Sequence, residues 1–322
     1  MVPEQSVQYL QALQVPRMIT LTGFQQSVER FICSVLARLD AKGLAGSNLA
    51  HLWALVQEDL ADPEAVRRRK LEAELGFDPE ECPEQALDAA LQRESQVGDA
   101  ALSELAPAIA ASGAPPDLAL IGQLASADGI VGSPDLSPGS IDHLDHGAPW
   151  ERAVHDARAL RNKIGNVRGP VPDRSLHDLL GMSSEAAAKY SVPVGRSPVA
   201  VAIPTNDHRL KFVPRKRNPG GKRFELARFL GEYLRPAADE LRWLVSTDLW
   251  TFRQKYQRAF AAEFLCPIDS LTSFLNGDFS SYAIEEAAAE FDVSEQTITS
   301  LLRNNGYLHD HWTDGMPYRT AA

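Results

Sequence analysis

The chain has 322 residues, 44% of them hydrophobic, which is enough to bury a sizeable core and predicts two domains. Its formal net charge of -11 repels phosphate backbones globally, so any nucleic-acid contact has to come from a local basic patch. Three widely spaced cysteines, Cys33, Cys82 and Cys266, argue against a disulfide framework and a four-cysteine zinc site; with neither a basic leader nor a run of about 20 apolar residues, they fit a cytoplasmic protein without a membrane span.

Residues 1–110 read as a helical domain. Phe24, Val28, Phe31, Ile32, Val35, Leu36 and Leu39 make one amphipathic stripe closed by Gly43, and Leu49, Leu52, Trp53, Leu55 and Val56 make another. Pro63 opens a third helix, where its missing N–H is harmless. From Glu58 to Glu104 acids dominate, as expected of a solvated helical surface, and the run Arg67-Arg68-Arg69-Lys70 balances charge locally. Residues 111–148, rich in Ala, Gly, Pro, Ser and Asp, read as a linker with one short helix near Leu118 to Ala125. Asp142, His143, Asp145 and His146 carry metal-binding side chains, but no regular frame fixes them, so a polar loop is expected; His309, Asp310 and His311 are read the same way.

The domain expected over 149–310 opens with a helix from Trp150, followed by a second helix over Ser175 to Leu180 that stops at Gly181. Pro198 to Ile203 and Arg209 to Val213 predict an antiparallel hairpin. The most basic stretch follows, with Arg209, Lys211, Arg215, Lys216, Arg217, Lys222 and Arg223 opposed only by Asp207. Its candidate nucleic-acid contacts are Arg215, Lys216, Arg217, Lys222 and Arg223; the competing readings are a solvated turn or a surface that meets acidic helices of the same chain. Lys222 to Leu234 (KRFELARFLGEYL) has helical apolar spacing, which sets Arg228 and Glu232 one turn apart. Tyr256 to Leu265 is the next helix. Ser281 to Glu290 and Ser294 to Asn304 then form a helix-turn-helix-like pair, although Glu285, Glu286, Glu290, Asp292 and Glu295 face only Arg303, an unfavourable balance for entering a DNA groove.

KRFELARFLGEYL and QKYQRAFAAEFLCP resemble the two motif blocks of the ImmA/IrrE family of zinc-peptidase-like bacterial proteins, RRFTLAHELGH and E-x-x-A-N-x-F-A-A-E-L-L-M-P. Arg223, Phe224, Leu226, Ala227, Leu230 and Gly231 match the first block; Phe260, Ala261, Ala262, Glu263, Leu265 and Pro267 match the second. The resemblance implies an α+β, mainly α, zincin-like peptidase domain with a small antiparallel sheet, preceded by a helical domain and followed by a 311–322 tail. FDVSEQTITSLLRNNG resembles the helix pair that closes the family domain, and RRRKLEAELGFDPEECPEQAL more loosely resembles a helical region ahead of it.

By this resemblance Arg228 stands at the first His ligand, Phe229 at the catalytic Glu, Glu232 at the second His and Gln254 at the third, carboxylate ligand. Arginine has no lone pair to donate, Phe is no base and Gln is a weak neutral ligand, so catalysis and a bound metal are not expected. Arg228 and Glu232 are expected either to pair at i,i+4, worth about 0.2–0.5 kcal/mol, or to point separately into water. Glu263 is not expected to be a ligand, and Cys266 reads as a small buried hydrophobe. The leading expectation is a non-catalytic regulator in stress or mobile-element control that binds a protein partner of the repressor-like kind and uses no cofactor. One alternative is an active zinc peptidase whose Glu232 recruits His208, Asp239 or Asp248; the other is a DNA-binding regulator acting through the basic stretch.

Overall fold

The computed structural model describes residues 19–113, 116–192, 197–235 and 243–308. The helices of the amino-terminal third are α1 (Leu21–Asp40), α2 (Asn48–Ala61), α3 (Pro63–Glu74), α4 (Glu84–Val97), α5 (Asp99–Ala110) and α6 (Ala119–Ser126). Strand β1 (Ile130–Gly132), α7 (Pro149–Lys163), α8 (Asp173–Leu179) and α9 (Ser184–Lys189) follow, then β2 (Val199–Pro204), β3 (Leu210–Val213), α10 (Pro219–Leu234), β4 (Leu244–Thr247) and α11 (Phe252–Leu265). Helices α12 (Ile268–Leu275), α13 (Ser281–Phe291) and α14 (Glu295–Asn304) end the described chain. The protein is thus mainly helical with a small antiparallel sheet, and no described helix is long and apolar enough to cross a membrane.

The chain divides into two compact units between Lys70 and Leu71, inside α3. In the first unit Thr20 caps α1, Ser47 caps α2 and Pro63 occupies the first turn of α3, where an N–H would have no intrahelical partner. Arg69 Nε reaches Asp59 Oδ2 at 2.8 Å, which ties α3 to α2. No residue of α1 or α2 is buried.

The second unit is built on a four-stranded sheet of order β1-β3-β2-β4. Side chains alternate across a strand, and β2 uses both faces. Val199, Val201 and Ile203 enter one core with Val213, Val245 and the apolar side of α4, α5 and α6. Ala200 and Ala202 enter the other with Phe212, Leu244 and the helices α7, α10 and α11. The register agrees, since Val201 lies opposite Val213 and Val245 while Ala202 lies opposite Phe212 and Leu244. A strand buried on both faces needs an uninterrupted apolar run, which Val199 to Ile203 provides. A third core holds α12, α13 and α14 together around Ile268, Leu271, Phe291, Ile298 and Leu302.

Two organisational expectations need correction. The amino-terminal helices do not end as a separate domain at 110, because α4 and α5 cover one whole face of the sheet. Nor is 111–148 only a linker, since Ile130 to Gly132 pairs with β3 as an edge strand and Gly132 bridges to Met182. The hairpin of β2 and β3 forms in the expected place. Helix α10 starts earlier than its apolar pattern, because Asn218 caps it by accepting from the Gly221 N–H and Pro219 fills the first turn. Gly181 follows α8 at φ 60°, where a Cβ would collide with the Ser133 carbonyl.

Helices α10 and α11 cross at Gly231, where an added Cβ would stand 2.5 Å from Cγ of Phe260. The conflict involves the root of the ring and not a mobile tip, so the helices must part. Gly231→Ala is expected to cost about 1–3 kcal/mol, read as a lower urea midpoint with an unchanged slope. An unshifted midpoint would show that the crossing yields freely.

Candidate functional site

The polar side chains of α10 lie at its junction with β4 and α11. Arg228 and Glu232, only 3% and 6% exposed, neither pair with each other nor face water. An i,i+4 pair is favoured on a solvated helix surface, but here α11 and β4 offer closer partners to side chains that must be satisfied out of water. Arg228 Nη2 donates to the Thr247 carbonyl at 2.8 Å and to Gln254 Oε1. The same Gln254 oxygen accepts from the Thr247 N–H at 2.9 Å, while its Nε2 donates to the Val245 carbonyl at 3.0 Å. Gln254 therefore pairs with the backbone of β4 from the side. Burial, then the like charge of Arg258, lowers Arg228 to about 9, which leaves it cationic at neutral pH.

Glu232 is held by a second set of donors. Arg253 Nε reaches its Oε1 at 2.6 Å, Arg235 Nη1 lies at 3.3 Å, and Gln257 Nε2 reaches Oε2 at 3.2 Å. Gln257 also donates to the Val245 carbonyl at 2.9 Å. Phe229 points elsewhere, into the core, with its ring 5.9 Å from that of Phe212.

Sequence reasoning missed Glu104, which reaches this junction from α5. Its Oε1 accepts from Thr251 Oγ1 at 2.7 Å, whereas its buried Oε2 lacks a hydrogen-bond partner. Arg253 Nη1 ties the same helix down through the Ala100 carbonyl at 2.7 Å. A single carboxylate inside the apolar segment ALSELAPAIA was the available signal.

These residues do not fit a zinc ion. Arg228 supplies donors only, both polar atoms of Gln254 are engaged by protein, and both oxygens of Glu232 are taken by nitrogen donors. Among the described residues no three His, Cys, Asp or Glu side chains converge as a metal site would require. The rearranged site is corrected at two of its positions: His208 sits in the exposed β2–β3 turn at φ 60°, and Asp248 is engaged by Arg215. Asp239 lies outside the described residues, as do His309, Asp310 and His311.

The basic stretch is largely consumed inside the fold. Arg215, 7% exposed at its side chain, pairs with Glu225 at 2.9 Å and Asp248 at 2.5 Å and donates to the Pro198 carbonyl at 2.6 Å. Arg223 is buried against Asp173 at 2.7 Å and Asp292 at 3.1 Å. Lys222 Nζ donates to the Ala187 carbonyl at 2.8 Å, and Lys211 Nζ to the carbonyls of Ala125 and Ala127. Arg217 is exposed and Lys216 half-buried, so the five candidate residues form no continuous phosphate-binding face. Their acidic partners come from α8, α10, the residue after β4 and the α13–α14 turn rather than from the acidic amino-terminal helices.

His143 of the DHLDH segment belongs to a buried polar group, its Nδ1 2.8 Å from Asp156 Oδ2, which also accepts from the Tyr256 hydroxyl at 2.5 Å. Asp142, Asp145 and His146 are exposed. Glu263 pairs with Arg158 at 2.7 Å and accepts from the Ile268 N–H at 3.1 Å at the start of α12. Cys266 is fully buried, and burial pushes its thiol well up, away from the reactive thiolate. In the carboxy-terminal pair Ser294 caps α14 by accepting from the Thr297 N–H at 3.1 Å. Glu295, Gln296, Arg303 and Asn304 are exposed on α14.

Comparison with protein-family models, with curated proteins and with solved structures finds no match for the chain.

Two outcomes follow from this geometry. Glu232→Ala leaves the Arg253 and Arg235 guanidiniums without their shared carboxylate and is expected to destabilise the fold by about 3–5 kcal/mol, measured by chemical unfolding. A loss within error of zero would mean that solvent replaces the carboxylate. Burial, ahead of the opposing bond from Thr251, raises Glu104 above its ordinary 4.5. The folded state then binds the proton more tightly than the unfolded chain, so this group's contribution falls as pH rises from 4.5 through the raised value. Glu104→Gln should remove that decline, which a comparison of unfolding midpoints between pH 4.5 and neutrality would detect.

Proposed function

We propose that residues 149–308 carry an ImmA/IrrE-like, zincin-like domain whose metal site has been replaced by a hydrogen-bonded polar network. On this reading the chain is a non-catalytic cytoplasmic regulator that binds a protein partner of the repressor-like kind in stress or mobile-element control. The observation that carries the reading is the bond between Arg228 and Gln254. The resemblance assigns these two positions to ligands of one ion, and they meet although 26 residues separate them. Gly231 and Phe260, one from each motif block, meet at the neighbouring helix crossing. The shape a peptidase cleft needs is supported while the donors it needs are absent, which favours recognition over hydrolysis.

The loop entering α11 supplies a surface for that recognition. Trp250 and Phe252 are each 60% exposed beside the network, and Arg258 lies over the Trp250 ring at 5.5 Å. Exposed aromatic anchors with a neighbouring Arg are the residue types that dominate protein interfaces. With purified repressor-like proteins as titrants, calorimetry should show binding that a chelator leaves unchanged, and gels of the mixture should show no new fragments. Trp250→Ala with Phe252→Ala should weaken that binding by about 30-fold or more without lowering the unfolding midpoint. Chelator-sensitive cleavage of the repressor would overturn the reading.

A further inference from the structure

The first unit raises a separate question, because α1 and α2 have no core. Helices are held chiefly by burying an apolar face, yet no residue of either helix is buried. Leu21, Phe24 and Phe31 of α1 and Leu52, Leu55 and Leu60 of α2 stand between 52% and 71% exposed. On α1 the residues Leu21, Phe24, Val28, Phe31 and Val35 alternate in steps of three and four, the spacing of a seam between packed helices. Such a seam implies a facing helix. Helix α2 touches α1 and Val28 and Val35 are half-buried, but Leu21, Phe24 and Phe31 stay exposed.

We infer that the missing cover is a second copy of the same chain, which would set α1 and α2 of each protomer into a four-helix assembly about a twofold axis. Area supports this occupant. Six side chains at roughly 100 Å² each offer about 600 Å² of apolar surface per copy, near the ~800 Å² per partner of a stable complex.

Charge supports it too. Between residues 19 and 70 the acids Glu29, Asp40, Glu58, Asp59, Asp62 and Glu64 nearly cancel the bases Arg30, Arg38, Lys42 and the run Arg67 to Lys70. The whole chain stands at -11, whereas this segment is close to neutral, so two copies can approach through it without repulsion.

The test uses the full chain. Light scattering at micromolar concentration should return twice the chain mass. Phe24→Glu with Phe31→Glu, and independently Leu52→Glu with Leu55→Glu, should return the single mass with the thermal transition of the second unit unchanged. Cys33 on α1 is exposed whereas Cys82 and Cys266 are buried. Wild-type chains labelled there with donor and acceptor should therefore show energy transfer on mixing, a readout independent of whether the variants fold. A single mass for wild type would overturn the inference, leaving residues 1–18 or a different protein as the cover. A doubled mass without energy transfer, or one that survives both charge variants, would place the second copy elsewhere and overturn it equally. None of these results depends on zinc or on a repressor.

Discussion

A guanidinium taken out of water must be given oxygen acceptors, and Arg228 finds them only where β4 and α11 come together. Its two bonds, to the Thr247 carbonyl and to Gln254, force a strand end and a helix start to meet α10 at fixed distances. Removing a charge from water costs several kcal/mol, so the rest of this region has to be arranged to answer it. Gln254 does so by bonding the backbone of β4 from the side, Gln257 bonds the same strand one turn later, and Glu232 balances Arg253 and Arg235 beyond it. The close crossing at Gly231 makes these reaches short enough to close.

The same junction explains why the sheet carries helices on both faces. Glu104 projects from α5 toward Thr251, the residue that caps α11, while α10 and α11 approach from the opposite side. Polar groups from both layers therefore converge at one end of β4, although β2 separates two apolar cores along the rest of the sheet. Arg215 repeats the arrangement at the other end of α10, joining Glu225 to the carbonyl of Pro198 and to Asp248. Positive charge that reads as a surface patch in the sequence thus acts as internal bracing.

Much of the fold was legible where one local pattern suffices. The apolar spacing of Lys222 to Leu234, the short apolar runs flanking the β2–β3 turn and the Ser294 cap each depend on neighbours a few residues away. What stayed hidden depends on distant partners. Local spacing puts only an i,i+4 partner within reach of Arg228; Gln254 is brought to the same place by the family resemblance alone, and the Thr247 carbonyl by nothing in the sequence. Residues 111–148 were misread for a related reason. Their Gly, Pro and Ser content signals turns, but a strand of three residues is too short to show a period and exists because β3 leaves it an edge to join. Glu104 needed the opposite inference, that an isolated acid in an apolar helix marks a buried contact.

Arg223 links two segments far apart in the chain: the Val171 to Asp173 stretch that opens α8, and Asp292 at φ 49° in the turn between α13 and α14. The terminal helix pair is therefore moored to the opening turn of α10 by one side chain. A pull on α14 would be transmitted through that mooring to the same rod that carries Arg228 and Glu232, making the tail end of the domain a lever on its interior.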